Sequence, residues 1–249
     1  MTADATLLQA ESVSKRFGGV KAVQEVSLSV QTGRVHCLIG PNGAGKTTLF
    51  DVLTGATRPS GGRVIFGGED VTRYSAARRS RHGLVRTFQS PRAILTLSVG
   101  ENLLLAAAGQ RARYRARRLL LRGADDHAAV DGILNVVRVG EPAAWPRELN
   151  HGARKRLELG MALACQPRLL LLDEPTAGMN AAETREMSQI IREIAHETTV
   201  LAIEHDLDFV RSMADVVTVL NRGRVLCEGS VEEVENDERV REVYIGGQA

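Results

Sequence analysis

The sequence predicts an α/β fold with a mixed sheet, an antiparallel β part near the N-terminus and an inserted helical subdomain. Short β-type runs alternate with longer stretches of helical spacing, which is typical of a sheet with helices on its faces. These runs are Arg34 to Ile39, Arg168 to Leu172, Thr199 to Ile203 and Val216 to Leu220. Other runs are separated by Gly-containing turns, which favours antiparallel pairing. They are Leu7 to Val13, Glu25 to Val30 and Arg63 to Phe66.

A change of composition marks the helical part. Between about Pro91 and Ala164 the chain is rich in Leu, Ala and Arg at helical spacing. We expect a single domain over residues 1–249, with a helical subdomain inserted at residues 90–163. The chain has no visible internal repeat or low-complexity tract, so solenoid and disordered architectures have little support.

Composition limits the class of protein. The chain has 249 residues, of which 43% are hydrophobic, enough for one sizeable core. Its 32 basic and 30 acidic residues give a net charge of +2, which favours no polyanionic partner. The longest apolar run, Leu103 to Ala108, is far shorter than the roughly 20 residues that span a bilayer. The first residues lack the pattern of a secretory signal, so we expect the chain to stay in the cytosol.

Three cysteines, Cys37, Cys165 and Cys227, lie far apart in the chain, and each has apolar neighbours. This pattern suits reduced thiols better than disulfides or a metal site. We expect all three to be core residues.

A glycine-rich segment follows the run that ends at Ile39 and precedes a helical stretch that begins at Lys46. It fits the Gly-x4-Gly-Lys-[Ser/Thr] pattern, in which glycines let backbone N–H groups turn towards phosphate oxygens. The helix N-terminus adds a partial positive charge, Lys46 reaches the β and γ phosphates, and Thr47 offers a ligand for Mg²⁺. The candidate nucleotide-binding residues here are Gly40, Pro41, Asn42, Gly43, Ala44, Gly45, Lys46, Thr47 and Thr48.

Two carboxylates follow the apolar run Leu169 to Leu172. Ligands of open α/β sheets bind at the carboxyl ends of the strands, so we expect Asp173 and Glu174 beside the phosphates. Asp173 can hold Mg²⁺ through water, and Glu174 can activate the attacking water. An apolar strand ending in Asp-Glu is common by itself. We interpret this one as part of a nucleotide site because the chain also contains the phosphate loop.

Two further polar residues follow predicted strands. His205 comes just after the run Thr199 to Ile203, where a neighbouring parallel strand would bring its imidazole close to the γ phosphate and the attacking water. Gln89 follows the strand-like Leu84 to Phe88, and its amide is able to touch Mg²⁺ and water. The candidate catalytic residues are therefore Glu174, His205, Lys46 and Gln89, and the candidate metal ligands are Thr47, Gln89 and Asp173.

The order of these motifs resembles that of an ABC transporter ATP-binding subunit over essentially the whole chain. In that family a glutamine loop, a signature of the form Leu-Ser-Gly-Gly-Gln, an Asp-Glu strand and a switch histidine follow the phosphate loop. The resemblance implies a P-loop NTPase core of the RecA-like type, with ATP and Mg²⁺ as cofactors. It also implies that Phe17, in Lys15-Arg16-Phe17-Gly18-Gly19, stacks on adenine; the other interpretation of Phe17 is an aromatic residue at the edge of the core.

Residues Leu149 to Ala153 stand where the signature is expected, just before the helical stretch Arg154 to Leu163. Leu149 and Gly152 keep the pattern, whereas Asn and Ala stand where Ser and Gln are usual. The resemblance implies that Asn150 and Gly152 contact the ATP bound by a second subunit.

Several stretches outside the ATP chemistry resemble the ATPases of branched-chain amino acid uptake. They are Lys15 to Ala22, Arg86 to Gln89, Arg156 to Glu158, Glu174 to Asn180 and Ile203 to Asp206. Related importers of urea and aromatic acids share much of this sequence, so the solute stays open. Asn180 stands where most relatives end a dimer-contact loop with Asp.

The resemblance implies a dimer, either of identical subunits or with a paralogous ATPase, that holds two ATP molecules between its subunits. It also implies integral membrane permease subunits, bound at a groove near Gln89, and a solute-binding protein that takes part indirectly. The expected location is the cytoplasmic face of the cell membrane, where the chain is held by its permeases.

Two alternatives belong to other classes. An ABC-type ATPase of DNA repair would carry coiled-coil or zinc insertions, and the insert here has no Cys pairs. Nucleic-acid binding by Arg111 to Arg122, where six Arg accompany the single aromatic Tyr114, would need more stacking platforms. An Arg-rich helix is more often a solvated face, and we expect no nucleic-acid partner.

Overall fold

The computed structural model describes residues 5–87, 93–111 and 124–245. Within these ranges the chain forms two sheets with helices packed around them, which confirms the α/β class. No helix in this part of the chain is both long and apolar enough to cross a membrane.

The smaller sheet is antiparallel and contains β1 (Thr6–Phe17), β2 (Val20–Gln31), β4 (Gly61–Phe66) and β5 (Glu69–Asp70). Its strand order is β2-β1-β4-β5. Phe17 pairs with Val20 across the two-residue turn Gly18-Gly19, a turn composition that favours tight hairpins. The antiparallel N-terminal part is thus confirmed, and its first two strands are longer than the apolar runs indicated.

The larger sheet is mixed. Its strands are β3 (Val35–Ile39), β6 (Leu84–Arg86), β7 (Leu169–Asp173), β8 (Thr199–Ile203), β9 (Val216–Asn221) and β10 (Arg224–Gly229), in the order β10-β9-β3-β8-β7-β6. All neighbours are parallel except β9 and β10. Every residue of β3, β7 and β8 is buried, which explains why these strands are continuous apolar runs without alternation.

The helices of the described chain are α1 (Lys46–Thr54), α2 (Ala76–Arg81), α3 (Val99–Arg111), α4 (Ala124–Val137), α5 (His151–Ala164), α6 (Ala181–Ala195), α7 (Leu207–Met213), α8 (Val231–Asn236) and α9 (Glu238–Ile245). Helix α5 packs against both α3 and α4. A Cβ at Gly160 would lie 3.2 Å from side-chain carbons of Leu103 and Ile133, so a glycine permits this close approach. Helices thus occupy the described part of the segment for which the composition predicted them.

Two apolar clusters cover the two faces of the larger sheet. Val35, Cys37 and Ile39 of β3 belong to one cluster, with residues of α5, α6 and α7. Leu38 of the same strand belongs to the other, with residues of α1 and the antiparallel sheet. Side chains of β3 therefore pack alternately on the two faces of the sheet, and this packing holds the strand and the start of the loop that follows it.

The prediction that all three cysteines are core residues is correct for Cys37 and wrong for the other two. Cys37 is fully buried in β3, and burial raises the pKa of its thiol. Cys165 and Cys227 are only half-buried, because Cys165 follows the last turn of α5 and Cys227 lies on the edge strand β10. All three thiols are free.

Candidate functional site

The phosphate loop lies between β3 and α1, in the strand, loop and helix order that the motif requires. Gly40 has φ +150°, and a Cβ there would lie 2.1 Å from the carbonyl oxygen of Leu220. Gly45 has φ +101°, and a Cβ there would lie 2.4 Å from the carbonyl oxygen of Ala22. Only glycine fits at these two positions, since each combines a left-handed backbone with close contact to another strand.

Helix α1 presents its N-terminus to the loop. Its N-cap is Gly45, which has no side chain to accept a hydrogen bond from the first-turn N–H groups. Such N–H groups form an anion-binding site at the positive end of the helix dipole.

Lys46 lies folded against the loop that precedes it. Its Nζ donates to the carbonyl oxygens of Gly40, at 2.6 Å, and Pro41, at 3.1 Å. Burial lowers the pKa of Lys46, whereas the nearby carboxylates of Glu174 and Asp173 raise it. Asp173 and Glu174 are therefore near enough to Lys46 to act on its charge.

Asp173 ends the buried strand β7 and is 1% exposed. Its Oδ2 accepts a hydrogen bond from Nη2 of Arg86 at 2.5 Å, and Nη1 of Arg86 donates to Oδ1 of Asp51 at 2.5 Å. The other oxygen of Asp173, Oδ1, is buried without a hydrogen-bond partner among the described residues. Sequence reasoning missed Arg86 and Asp51 as neighbours of this carboxylate.

Glu174 follows Asp173 in a left-handed backbone conformation, with φ +48°. Its N–H donates to the carbonyl oxygen of Ile203 at 3.1 Å, and its own carbonyl accepts from the N–H of Ala177 at 3.2 Å. A left-handed non-glycine residue costs about 1 kcal/mol and is typical of functional sites. The two hydrogen bonds hold Glu174 in this conformation at the end of the sheet.

His205 follows β8, which lies between the phosphate-loop strand β3 and the carboxylate strand β7. Its side chain is 62% exposed, whereas that of the adjacent Glu204 is fully buried. Glu204 accepts hydrogen bonds from the hydroxyl of Thr176, at 2.8 Å, and from the N–H groups of Thr176 and His205. Burial raises the pKa of Glu204, and these hydrogen bonds lower it.

Glu204 therefore ties the loop after Glu174 to the end of β8. Sequence reasoning did not assign it a role, although it precedes the candidate histidine directly. The one available signal was a carboxylate immediately after a fully apolar strand.

Phe17 is at the end of β1 and is 54% exposed, so it is not a core residue. The Lys15 ammonium lies 4.9 Å from the centre of its ring. The same hairpin passes the phosphate loop, because the carbonyl of Ala22 lies against Gly45. Gln89, a further candidate, lies outside the described residues.

The signature candidate lies at the N-terminus of α5. Asn150 is the N-cap, and its Oδ1 accepts a hydrogen bond from the N–H of Ala153 at 2.7 Å. The side-chain amide nitrogen is a donor that this cap does not use. Asn150 thus fulfils the capping function that a serine would perform.

The next residues of the signature pack against the loop after Glu174. Nε2 of His151 lies 2.9 Å from the carbonyl oxygen of Ala177. A Cβ at Gly152 would lie 2.6 Å from Oε1 of Glu183, in the first turn of α6. Asn180 caps that helix by accepting from the N–H groups of Ala182 and Glu183, a function that Asn and Asp perform equally well.

Comparisons with known proteins identify the family of the chain. The family model described as ABC transporter matches residues 23–177, and that described as branched-chain amino acid ATP-binding cassette transporter matches residues 224–249. The chain is 37% identical to the high-affinity branched-chain amino acid transport ATP-binding protein LivG of Salmonella typhimurium, covering 96% of this chain and 98% of that protein. It is 36% identical to BraF of Pseudomonas aeruginosa, with the same coverage.

Solved structures show the same relationship. The ADP conformation of an ATP-binding cassette of an ABC transporter covers 97% of this chain and 99% of its own, with 33% identity and a TM-score of 0.86. Family match, identity and fold lead to one conclusion: the chain belongs to the ABC transporter ATP-binding subunits, which bind and hydrolyse ATP to power transport.

Proposed function

We propose that the chain drives uptake of branched-chain amino acids, or of a related small polar solute such as urea or an aromatic acid, through membrane permeases. The observation that carries this proposal is the likeness to LivG and BraF over 96% of the chain. The match at residues 224–249 adds support from a segment outside the phosphate loop and the Asp-Glu strand. An ABC-type ATPase that works in DNA repair or on nucleic acid is the alternative, and these transport relatives argue against it.

In the proposed nucleotide site, backbone N–H groups of the loop 40–48 hold the phosphates. Lys46 leaves its two carbonyl contacts for the β and γ phosphates, because a phosphate oxygen is the stronger partner for an ammonium. Phe17 offers an open aromatic face to adenine, close to where the hairpin passes Gly45.

Residues of this chain also suit Mg²⁺. Thr47 supplies a hydroxyl, Gln89 a side-chain amide, and Asp173 a buried carboxylate oxygen without a partner among the described residues. Oxygen donors of this type are those that Mg²⁺ prefers. When bound, the ion would neutralise charge on the β and γ phosphate oxygens.

Glu174 is the proposed general base that takes a proton from the attacking water. His205 is proposed to hold that water and a γ-phosphate oxygen, since its exposed ring follows the strand between β3 and β7. The buried Glu204 accepts hydrogen bonds from Thr176, two residues after Glu174, and from the N–H of His205. It is proposed to position Glu174 and His205 through these contacts.

The second half of each site is proposed to come from another ATPase subunit, identical or paralogous. Asn150 and the N–H of Gly152 would face the γ phosphate of the partner's ATP from the positive end of α5. The Asn150 side chain is exposed and its amide nitrogen is not needed for the helix cap, which supports this role. ATP then favours closure because only the closed dimer contacts it from both sides.

The permease is proposed to dock where the sheet meets the helices. A mostly apolar cavity of about 400 Å³ opens there, between α2 and β6 on one side and α3 and α5 on the other. Its lining includes Ala77, Val85, Thr87, Ala106, Met161 and Cys165. A short helix of the permease is the proposed occupant, and it would hold the chain at the cytoplasmic face of the membrane.

This arrangement treats residues 1–249 as one ATP-binding domain and residues 90–163 as its helical subdomain. The contacts of α5 with α3 and α4 support that division. A solute-binding protein would act on the permeases and not on this chain.

Uptake into proteoliposomes containing this chain and its co-encoded permeases tests the solute. We expect ATP-dependent uptake of labelled leucine, isoleucine and valine when the co-encoded binding protein is present, and we expect unlabelled leucine to compete. Uptake of urea or phenylalanine without leucine competition would reassign the solute. Salt-sensitive DNA binding without uptake would favour the nucleic-acid alternative.

A further inference from the structure

We propose that Arg86 is a positioning residue for the magnesium carboxylate, holding Asp173 by one oxygen so that its other oxygen faces the ion and its bound water. The inference rests on the magnesium role proposed above for Asp173. It assigns to the end of β6 a function in metal binding that is separate from nucleotide binding as such.

Strand pairing brings Arg86 to this place. Strand β6 pairs with β7 in parallel, with Arg86 opposite Leu171, and the N–H of Thr87 donates to the carbonyl of Leu171 at 2.9 Å. From this register the long guanidinium side chain extends along β7 to the carboxylate at its end. The backbone pairing therefore fixes the position of the Arg86 Cα relative to β7.

One guanidinium joins two carboxylates. Nη2 donates to Asp173 and Nη1 to Asp51, each at 2.5 Å, so the phosphate-loop helix α1 and the strand β7 share a single cation. The side chain of Arg86 is 15% exposed and that of Asp173 is not exposed at all. A charge-assisted hydrogen bond is strong in such a place, because little water competes for either group.

The two oxygens of Asp173 consequently differ. Oδ2 is occupied by Arg86, whereas Oδ1 is buried and has no hydrogen-bond partner in the described part of the chain. A buried carboxylate oxygen without a partner is unfavourable unless a ligand satisfies it. Oδ1 is thus the oxygen that would remain for magnesium and its water, and Arg86 would fix the carboxylate in the way that outer groups orient metal ligands.

The test compares nucleotide affinity with and without the ion. A fluorescent ATP analogue is titrated into wild-type protein and Arg86→Gln, once with Mg²⁺ and once with EDTA. We expect the affinity in EDTA to stay within about twofold and the gain on adding Mg²⁺ to fall about tenfold, the typical loss when an outer partner of a metal ligand is removed. Arg86→Lys, which can serve one carboxylate, should restore part of the gain.

Two variants separate this role from general stability. Arg156→Gln removes a comparable ion pair, with Glu186 at 2.6 Å and a side chain 12% exposed, and should leave the magnesium gain unchanged. Asp51→Asn releases Arg86 from α1 without touching Asp173, and it decides the question if Arg86→Gln fails to fold. We expect Asp51→Asn to reduce the magnesium gain by about threefold, less than the tenfold loss expected when an outer partner itself is removed, because Arg86 keeps its contact with Asp173.

Three outcomes would overturn the inference: equal loss of affinity in EDTA and Mg²⁺, an unchanged magnesium gain in Arg86→Gln, or an unchanged gain in Asp51→Asn where Arg86→Gln does not fold. Asp173→Asn distinguishes these from a failure of the proposed magnesium site. If Asp173→Asn abolishes the gain and Arg86→Gln does not, only the positioning role is wrong. If Asp173→Asn keeps the gain, the assignment of Asp173 to magnesium is itself wrong.

Discussion

Glu174 carries the sharpest expectation among single residues. Glu174→Gln keeps the shape and the left-handed backbone position but removes the proton acceptor. ATP hydrolysis should fall roughly 100-fold or more, the usual contribution of a general base, while nucleotide affinity stays close to wild type. Phosphate release and analogue titration measure the two properties. Wild-type turnover by this variant would rule out the assignment.

Asn150 allows its two roles to be separated. Asn150→Asp keeps a cap acceptor for the N–H of Ala153 but replaces the amide donor with a negative charge. The unfolding free energy and the affinity of an isolated subunit for ATP should therefore hardly change, whereas ATP hydrolysis should be lost because phosphate and carboxylate repel. Asn150→Ser, which caps and donates, should retain hydrolysis.

Normal hydrolysis by Asn150→Asp would mean that this residue is only a helix cap. The neighbouring substitution Gly152→Asp is a poorer probe, because a side chain there meets Glu183 within the same subunit. Its effect could not be ascribed to the partner's ATP.

The sequence was informative about residues wherever a motif specifies backbone geometry. Gly40, Asp173 and His205 lie at the carboxyl ends of β3, β7 and β8, which are neighbours in the sheet, as the motif order predicted. Lys46 begins the helix that follows the phosphate loop. The partners Arg86, Asp51 and Glu204 could not be predicted in the same way, because their roles arise from side-chain reach across strands. The parallel register of β6 on β7 cannot be predicted from the sequence of either strand.

At the scale of elements, a buried arginine of α2 stabilises the C-terminal end of α1. Arg79 is 1% exposed, and its Nη1 donates to the carbonyl oxygens of Val52 and Leu53 at 2.7 and 2.6 Å. The carbonyl of Val52 also accepts the C-cap hydrogen bond from the N–H of Gly55 at 3.2 Å. The guanidinium of Arg79 adds a partner to both carbonyls and lies at the negative end of the helix dipole.

Arg79→Ala should therefore lower the free energy of unfolding by about 3 kcal/mol, the loss expected when buried hydrogen bonds to a charged group are removed. Chemical denaturation measures this change. Arg81 lies in α2, like Arg79, but is exposed. The free energy of unfolding of the matched variant Arg81→Ala should therefore stay within about 0.5 kcal/mol of the wild-type value. Equal effects of the two substitutions would contradict the capping role.

Elements were predicted best where they are fully buried. Strand β8 has the predicted bounds, β3 and β9 differ from their predicted runs by one residue at one end, and β7 is shifted by one residue at both ends. The edge strand β10 and the C-terminal helices α8 and α9 were not predicted, because their half-exposed residues follow no continuous apolar run. Helix α5 begins earlier than expected, since Asn150 caps it.

At the scale of the whole molecule, a buried polar network makes stability depend on pH. Nε2 of His36 lies 2.7 Å from the hydroxyl of Thr218, which donates to Glu228 at 2.6 Å and so joins β3, β9 and β10. Because this hydroxyl donates to Glu228, it accepts from Nε2 of His36. Burial lowers the pKa of His36 to about 4 from its ordinary value of 6.5.

The unfolded chain binds a proton at His36 more readily than the folded chain does. The free energy of unfolding is therefore not reduced by His36 above pH 6.5, and it decreases as the pH falls from 6.5 towards about 4. The loss over that window should approach about 3 kcal/mol. Denaturant midpoints at pH 7.5 and pH 4.5 measure it, and His36→Gln should show a smaller pH difference than wild type. An unchanged difference in His36→Gln would refute the contribution of this residue.

In the proposed mechanism, transport is powered by ATP hydrolysis at the site formed by Lys46, Asp173 and Glu174. The direct measurement is uptake of labelled leucine by proteoliposomes that contain the permeases and either wild-type chain or Glu174→Gln, with Mg²⁺ and ATP on the ATPase side. We predict uptake that continues over many turnovers with the wild type, and none beyond a single turnover with Glu174→Gln, although both bind ATP. Sustained uptake by Glu174→Gln, or uptake by the wild type without ATP, would contradict the account.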